Sequence, residues 1–177
     1  MTRRTLRTTL IALGLCTIAA CVVNISFDMP QTVQVSSAPG VTSIHQVKSV
    51  NLQDYSEVRD HKDNIKSLDL DSLDVVVTAV DAGNHATKVT GTVVLRPSGA
   101  SDATQDVKVG SLTEFPITLN NKTTFKGSPE LDAFLLNQLH SEGTFSVVVD
   151  GNIDAAPAVM TMTVTMHSSL GYDTGIF

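Results

Sequence analysis

Leu73-Asp-Val-Val-Val-Thr-Ala-Val-Asp81 runs into Ala82-Gly83-Asn84-His85, and Thr87-Lys-Val-Thr-Gly-Thr-Val-Val-Leu-Arg96 returns. Both arms are dense in valine and threonine, whose branched Cβ suits a pleated surface. Side chains along a strand point alternately to opposite faces. Val75, Val77 and Ala79 therefore share one face of the first arm, and Val89, Gly91, Val93 and Leu95 one face of the second. Gly83-Asn84 reads as a tight hairpin turn, able to supply the positive backbone angles that such a turn requires. Gly91, inside a strand, predicts a bulge or a close approach of another backbone. This stretch makes the chain an antiparallel β protein.

Reading onward, Pro97 to Gln105 is a polar loop, and Asp106–Gly110 and Glu114–Leu119 are the next strand segments. Ser128-Pro129-Glu130 has the form of a helix start: a capping hydroxyl, a proline in the first turn, then an acid near the positive end. Leu131, Phe134, Leu135 and Leu139 make one apolar stripe, and Gly143 lies just past the C-terminus. This helix is expected to plug one end of a sheet pair. Phe145, Val147, Val149, Gly151 and Ile153 then alternate, as do Met160, Met162, Val164 and Met166, with Asp154-Ala-Ala-Pro157 connecting them. Thr161, Thr163 and Thr165 take the opposite face of that last strand.

Reading back, Ile65 to Asp74 shifts towards a period of two, so a strand begins near Ile65. Its acids, Asp69, Asp71 and Asp74, would face outward from an edge between inward leucines. Asn51 to Asn64 has helical spacing, with Leu52, Tyr55 and Val58 three apart and Asp54, Glu57, Arg59, Asp60 and Lys62 on the wet face. Ile44 to Val50 is a short strand, and Pro39-Gly40 a turn. Residues 22–40 form a tether or an edge strand, with Val33 and Val35 on one side and Pro30 interrupting the ladder. About seven or eight short strands with two short helices indicate an antiparallel β-sandwich, immunoglobulin-like in a broad sense. A small closed β-barrel is the alternative. No internal repeat is evident.

The N-terminus has a different character. Arg3, Arg4 and Arg7 form a positive head, followed by an apolar run from Leu10 to Ala20 and then Cys21. That run is far below the roughly 20 residues a membrane-crossing helix needs, and it has the form of a secretory signal. Ile18-Ala19-Ala20-Cys21 resembles the lipobox of bacterial lipoproteins: an aliphatic residue, two small ones, then cysteine. An ordinary cleavage site fits less well. It would place Ile18 or Thr17 where a small residue belongs three positions before the cut. The resemblance covers residues 1–21 and implies removal of a signal peptide, residues 1–20, between Ala20 and Cys21. It further implies diacylglycerol on the Cys21 sulfur and fatty acyl chains, such as palmitate, there and on the new amino group. Residues 21–177 would then be a single lipid-anchored domain.

Removing the three arginines with the signal leaves 9 basic residues against 18 acidic ones, a formal charge of −9 over 157 residues. Such an excess argues against nucleic acid, whose phosphates need clustered Lys and Arg, and against a polybasic clamp on anionic lipid. The two cysteines of the chain are Cys16, inside the signal, and Cys21. With the Cys21 sulfur lipidated, neither an intramolecular disulfide nor a catalytic or metal-binding thiolate is left. Stability must come from packing.

Sites for chemistry are sparse. Asp150-Gly-Asn-Ile-Asp154 imitates the start of a calcium loop, but Ala155 stands where the turn glycine belongs and Thr161 where the bidentate glutamate belongs. The strand alternation gives Asp150, Asn152 and Asp154 a plain solvent-facing role instead. His45, His61, His85, His140 and His167 show no pair at metal spacing, and His140 suits the negative end of the second helix. No nucleophile elbow, phosphate loop or dinucleotide fingerprint occurs. Met160, Met162 and Met166 could line a pocket for a lipid-like ligand, or simply be core. Absence of Trp and only two Tyr speak against an aromatic sugar platform. The C-terminus ends on Phe177 as outer-membrane barrels often do, but the strand leading to it lacks the alternation of an integral barrel.

The expectation is a lipid-anchored cell-envelope protein acting as a non-enzymatic binding, adhesion or structural accessory, with no cofactor, no metal and no catalytic residue. Its partners would be the membrane, through Cys21, and a further protein or ligand. An apolar-ligand carrier is the alternative and a hydrolase with a distributed site a third reading. Val22, beside the cysteine, is not the aspartate associated with inner-membrane retention in enteric bacteria, which favours the outer membrane.

Overall fold

The alternation becomes eight strands among the described residues: β1 (Val22–Ser36), β2 (Ser43–Asn51), β3 (Ile65–Val80), β4 (Lys88–Pro97), β5 (Val107–Pro116), β6 (Lys122–Lys126), β7 (Thr144–Ile153) and β8 (Val159–Asp173). Two helices accompany them, α1 (Ser56–Arg59) and α2 (Pro129–His140). The computed structural model describes residues 22–100 and 102–174. Two antiparallel sheets form, in the orders β1-β8-β3-β6 and β2-β7-β4-β5. This is the expected sandwich, and it does not close into a barrel. Only β4 and β5 are neighbours in both sequence and sheet; every other connection between strands crosses from one sheet to the other. That winding is the jelly roll.

One consequence overturns the hairpin read at residues 73–96. β3 pairs with β8 and β6, whereas β4 pairs with β5 and β7. Gly83 lacks the positive φ that a two-residue turn would demand. The connection docks instead on the link between β7 and β8. His85 N–H donates to the Pro157 carbonyl at 2.8 Å, and the Asn84 side chain accepts from Val159 N–H at 3.1 Å. β7 and β8 likewise lie in different sheets.

The core is the apolar space between the two inner faces. Met29, Val33 and Val35 of β1, Val89, Val93 and Leu95 of β4, Phe145, Val147 and Val149 of β7, and Met160, Met162, Val164 and Met166 of β8 are all buried there. β3 fills its share with an irregular pattern: Ile65, then Leu68 and Leu70, then Leu73, Val75 and Val77. Its pairing with β8 shifts register between Ile65 and Ser67, Leu70 and Ser72, and Val77 and Ala79. Each bulge inserts one residue and so moves the inward phase by one. The three-residue gaps between buried groups thus belong to one continuous strand.

Several local expectations change. Pro30 does not interrupt β1, which stays in register across it with Thr165. An edge strand has an unpaired side, so a missing N–H is tolerated there. Asn51–Asn64 is not one helix: a 3-10 turn at Leu52–Asp54 and the single turn of α1 are separated by Tyr55 in an extended conformation. Leu52 and Val58 are nevertheless buried, as their spacing required. Of the acids at 69–74, Asp74 lies inside the sheet, between β8 and β6, whereas Asp69 and Asp71 lie on the stretch of β3 that β6 does not cover. Residues 106–119 give one strand, β5, and β6 is a further strand that the apolar alternation does not mark.

α2 forms as its sequence prescribes. Ser128 Oγ accepts from Leu131 N–H at 3.4 Å, and Gly143, at φ +71°, closes the other end by donating to the Gln138 carbonyl at 2.9 Å. Leu131, Phe134 and Leu135 are buried, with Phe134 edge-on to Phe145 at 5.8 Å. The Asp132 carboxylate accepts from Leu70 N–H of β3 at 2.8 Å, beyond the reach of the short β6. The helix thereby closes one end of the sandwich. Strand directions place the start of β1, the 52–64 segment, the 98–106 loop and the end of β8 at that same end. Loops 37–42, 81–87, 117–121 and 154–158 lie at the opposite end.

Candidate functional site

The densest polar cluster among the described residues crosses the solvent face of the first sheet. His167 lies between inward Met166 and Ser168 on β8, so its ring points outward. Its Nδ1 is 2.6 Å from Asp28 Oδ1 on β1, and its Nε2 is 2.9 Å from Asp74 Oδ2 on β3. β6 completes the group: Lys122 Nζ is 2.7 Å from Asp74 Oδ2, and Thr124 Oγ1 donates to Asp74 Oδ1 at 2.6 Å. All four strands contribute, and Asp74 is closed over until only 7% of it is exposed.

The electrostatics follow from that geometry. Burial pushes the Asp74 carboxyl up, but hydrogen bonds from Lys122, Thr124 and His167 outweigh it and hold the carboxyl at about 2, against an ordinary 3.8. Asp74 first, then Asp28, lift the His167 imidazole above its ordinary 6.5, against a smaller effect of burial. With both nitrogens protonated, two cations meet two carboxylates. Loss of the proton would turn a lone pair towards one carboxylate oxygen. Neither ring nitrogen contacts a hydroxyl or thiol, so the group is a clamp across four strands, without the nucleophile–base pair that acyl transfer needs.

The sign of its pH dependence is fixed. A raised histidine pKa contributes stability that is fully present below the unfolded value near 6.5 and fades as pH rises through the higher folded value. Asp74 contributes above its unfolded value and loses its effect as pH falls towards about 2. His167→Gln should therefore lower the thermal midpoint most in mildly acid solution. Because the ring is 35% exposed, screening limits the loss to about 1 kcal/mol, or roughly 2–4 °C near pH 5.5. A melting difference that stayed the same from about pH 5.5 to 9 would refute the charged clamp.

The second sheet carries a shallow groove of about 730 Å³ across all four of its strands. Gly91 and Gly151 face each other within it, and a Cβ on Gly91 would stand 2.2 Å from the Asp150 carbonyl oxygen. Both expected roles of Gly91 are present, since the β4–β5 register also shifts beside it. Asp150, Asn152 and Asp154 do not converge. Asp150 pairs with His45 across the strands. Asp154 accepts from the Thr87 hydroxyl, from Lys88 N–H at 3.0 Å and from Thr87 N–H at 2.8 Å, which hold its carboxyl down at about 2. Among the described residues, no group of three or more His, Cys, Asp or Glu is placed to hold a metal ion.

The remaining histidines are dispersed. His61 stacks on Tyr172 at 3.8 Å, His85 sits in the loop after β3, and His140 lies in the last turn of α2. Met160, Met162 and Met166 are at most 2% exposed and pack in the core; none lines the groove. A partly buried ion pair carries no mark in the sequence: Arg96 Nε and Nη2 each donate to Asp106 at 2.7 Å, pinning the 98–106 loop to β4. Ala20, Cys21 and Phe177 lie outside the described residues.

No family model and no curated protein matches the chain. Among solved structures, the decameric BFDV capsid protein is similar at 6% identity and a TM-score of 0.47, over 85% of this chain and 99% of that one. Desmodium yellow mottle tymovirus is similar at 10% identity and 0.36, over 98% and 94%. Turnip yellow mosaic virus matches at 10% and 0.37, over 97% and 91%. At these values the likeness has no bearing on what this chain does, and the jelly-roll winding rests on its own strand order.

Proposed function

We propose that the chain is a bacterial lipoprotein, cut before Cys21, lipidated there, and held on an envelope membrane as a non-enzymatic binding, adhesion or structural accessory. The carrying observation is the run from Arg3, Arg4 and Arg7 through the apolar segment to Ile18-Ala19-Ala20-Cys21. Two features support it. Among the described residues, two complete four-stranded sheets form within residues 22–173, the part of the chain that would remain after cleavage. The His167 cluster is fully engaged in holding strands together, which favours a binding or structural role over hydrolysis. Burial of the methionine stripe in the core favours this reading over an apolar-ligand carrier. Val22 in place of aspartate favours the outer membrane over the inner.

Only cysteine offers the thioether attachment of this route, so serine cannot substitute. Cys21→Ser should abolish labelling by a fatty-acid probe and release the protein from the membrane fraction, or leave it as uncut precursor. The melting curve of the folded domain should be unchanged, because position 21 comes before every strand among the described residues. The deciding measurement is the mass of the mature N-terminal peptide from producing cells. A bare, unmodified N-terminus at Cys21 or elsewhere would remove the proposal.

A further inference from the structure

The sheet begins at the first described residue. Val22 is paired with Asp173 and Val23 with Tyr172, so no residue intervenes between position 21 and the β1–β8 ladder. Consecutive Cα atoms are about 3.8 Å apart, and a thioether-linked glycerol adds only a few bonds to that reach. The polar layer of one bilayer leaflet is itself roughly 5–8 Å deep. A lipid on Cys21 therefore brings Val22 to the headgroups and the folded domain with it.

We infer that the end of the sandwich formed by Val22, Val23, the turn at residues 60–64 and the end of β8 is a membrane-contact surface, seated on phospholipid headgroups. The inference rests on the lipid anchor proposed above. Its chemistry suits that position. Val22 is 52% and Val23 37% exposed, against the usual burial of valine in this fold. Tyr172, opposite Val23 and stacked on His61, offers the apolar body and polar tip that settle at a bilayer interface. Lys62 and Lys66 are exposed beside it, with long stems that can lie on an apolar layer while the ammonium stays in water. Arg59, Lys62 and Lys66 are offset by Asp60, Asp63 and Asp173, so the seat does not depend on anionic lipid.

Seating of this end fixes where the other end stands. β8 has 15 residues, so the opposite loops stand about 45–50 Å from the membrane. Val41, Val80 and Leu119, 44%, 38% and 60% exposed, lie at that far end. Those loops are the part of the domain farthest from the bilayer.

The full-length protein, produced in a lipoprotein-processing host and reconstituted into phosphatidylcholine vesicles, tests this directly. Lys62→Cys and Leu119→Cys each carry one fluorophore, and a quencher is attached to the lipid headgroup. Quenching should be several-fold stronger at residue 62 than at 119, and unchanged when phosphatidylglycerol is added. Equal quenching, or stronger quenching at 119, in protein whose N-terminal peptide mass shows acylation would overturn the seating and leave the anchor standing. A mass without acyl chains, and protein that does not stay with the vesicles, would instead remove the anchor and the seating together.

Discussion

Gly127→Ala is expected to lower the thermal midpoint by about 6–12 °C, corresponding to roughly 3 kcal/mol for a chain of this size. Gly127 links β6 to the cap of α2 and crosses β3 at close range, its N–H donating to the Asp71 carbonyl at 3.1 Å. An added Cβ would stand 1.4 Å from the Leu70 carbonyl oxygen. Backbone cannot turn aside as a flexible side chain can, so either β3 shifts or the β6–α2 link does. Gly83→Ala is the internal comparison. Nothing lies within 4 Å of its Cβ position and its φ is not positive, so the change should be neutral or stabilising by up to about 1 kcal/mol. Equal melting shifts for the two variants would contradict the approach at Leu70.

Phe145→Ala should be of similar or larger effect, about 3–5 kcal/mol, from lost burial and the cavity left behind. The ring is 1% exposed and meets Phe134 edge-on at 87°, so it ties β7 to the helix that closes the sandwich. Thr163→Ala, on the solvent face of β8, removes only a 3.4 Å contact with the Thr78 hydroxyl. It should stay within about 0.5 kcal/mol. Chemical denaturation of the three proteins separates these outcomes, and small, equal changes would mean the inward and outward faces are wrongly assigned.

Faces were legible in the sequence; neighbours were not. Period-two alternation reports which side chains point inward, and Val33, Val35, Val93, Leu95, Phe145, Val147 and the methionines of β8 are all where it placed them. It carries no mark of the partner strand. Leu73–Val80 and Thr87–Arg96 would alternate in the same way as a hairpin or on two sheets, and only the docking of Asn84 and His85 on residues 157–159 distinguishes them. β6 escaped notice because Lys122-Thr-Thr-Phe-Lys126 offers one apolar residue. Leu52, Tyr55 and Val58 fit a helix, yet two separate turns bury Leu52 and Val58 as well.

The His167 cluster escaped for a related reason. Asp74 reads as an outward acid, and by backbone phase it is one. Its burial comes from groups brought over it by folding, Thr124 from 50 residues away and His167 from 93. α2, in contrast, was legible almost to the residue, because a cap, a stripe and a terminating glycine are all local.

The pairing of β1 with β8 has a consequence in time. Among the described residues, the first strand of the sandwich pairs with the last alone, from Val22 against Asp173 to Ser36 against Val159. β3, inside the same sheet, also depends on β8 along most of its length. A chain delivered N-terminus first therefore holds an unpaired edge and an open core until its final fifteen-residue strand arrives. Folding of so non-local a fold belongs to the slow, milliseconds-to-seconds class. Until that strand is in place, the apolar faces of β1 and β3 are open to other chains, and whatever escorts the polypeptide must shield them to its last residues.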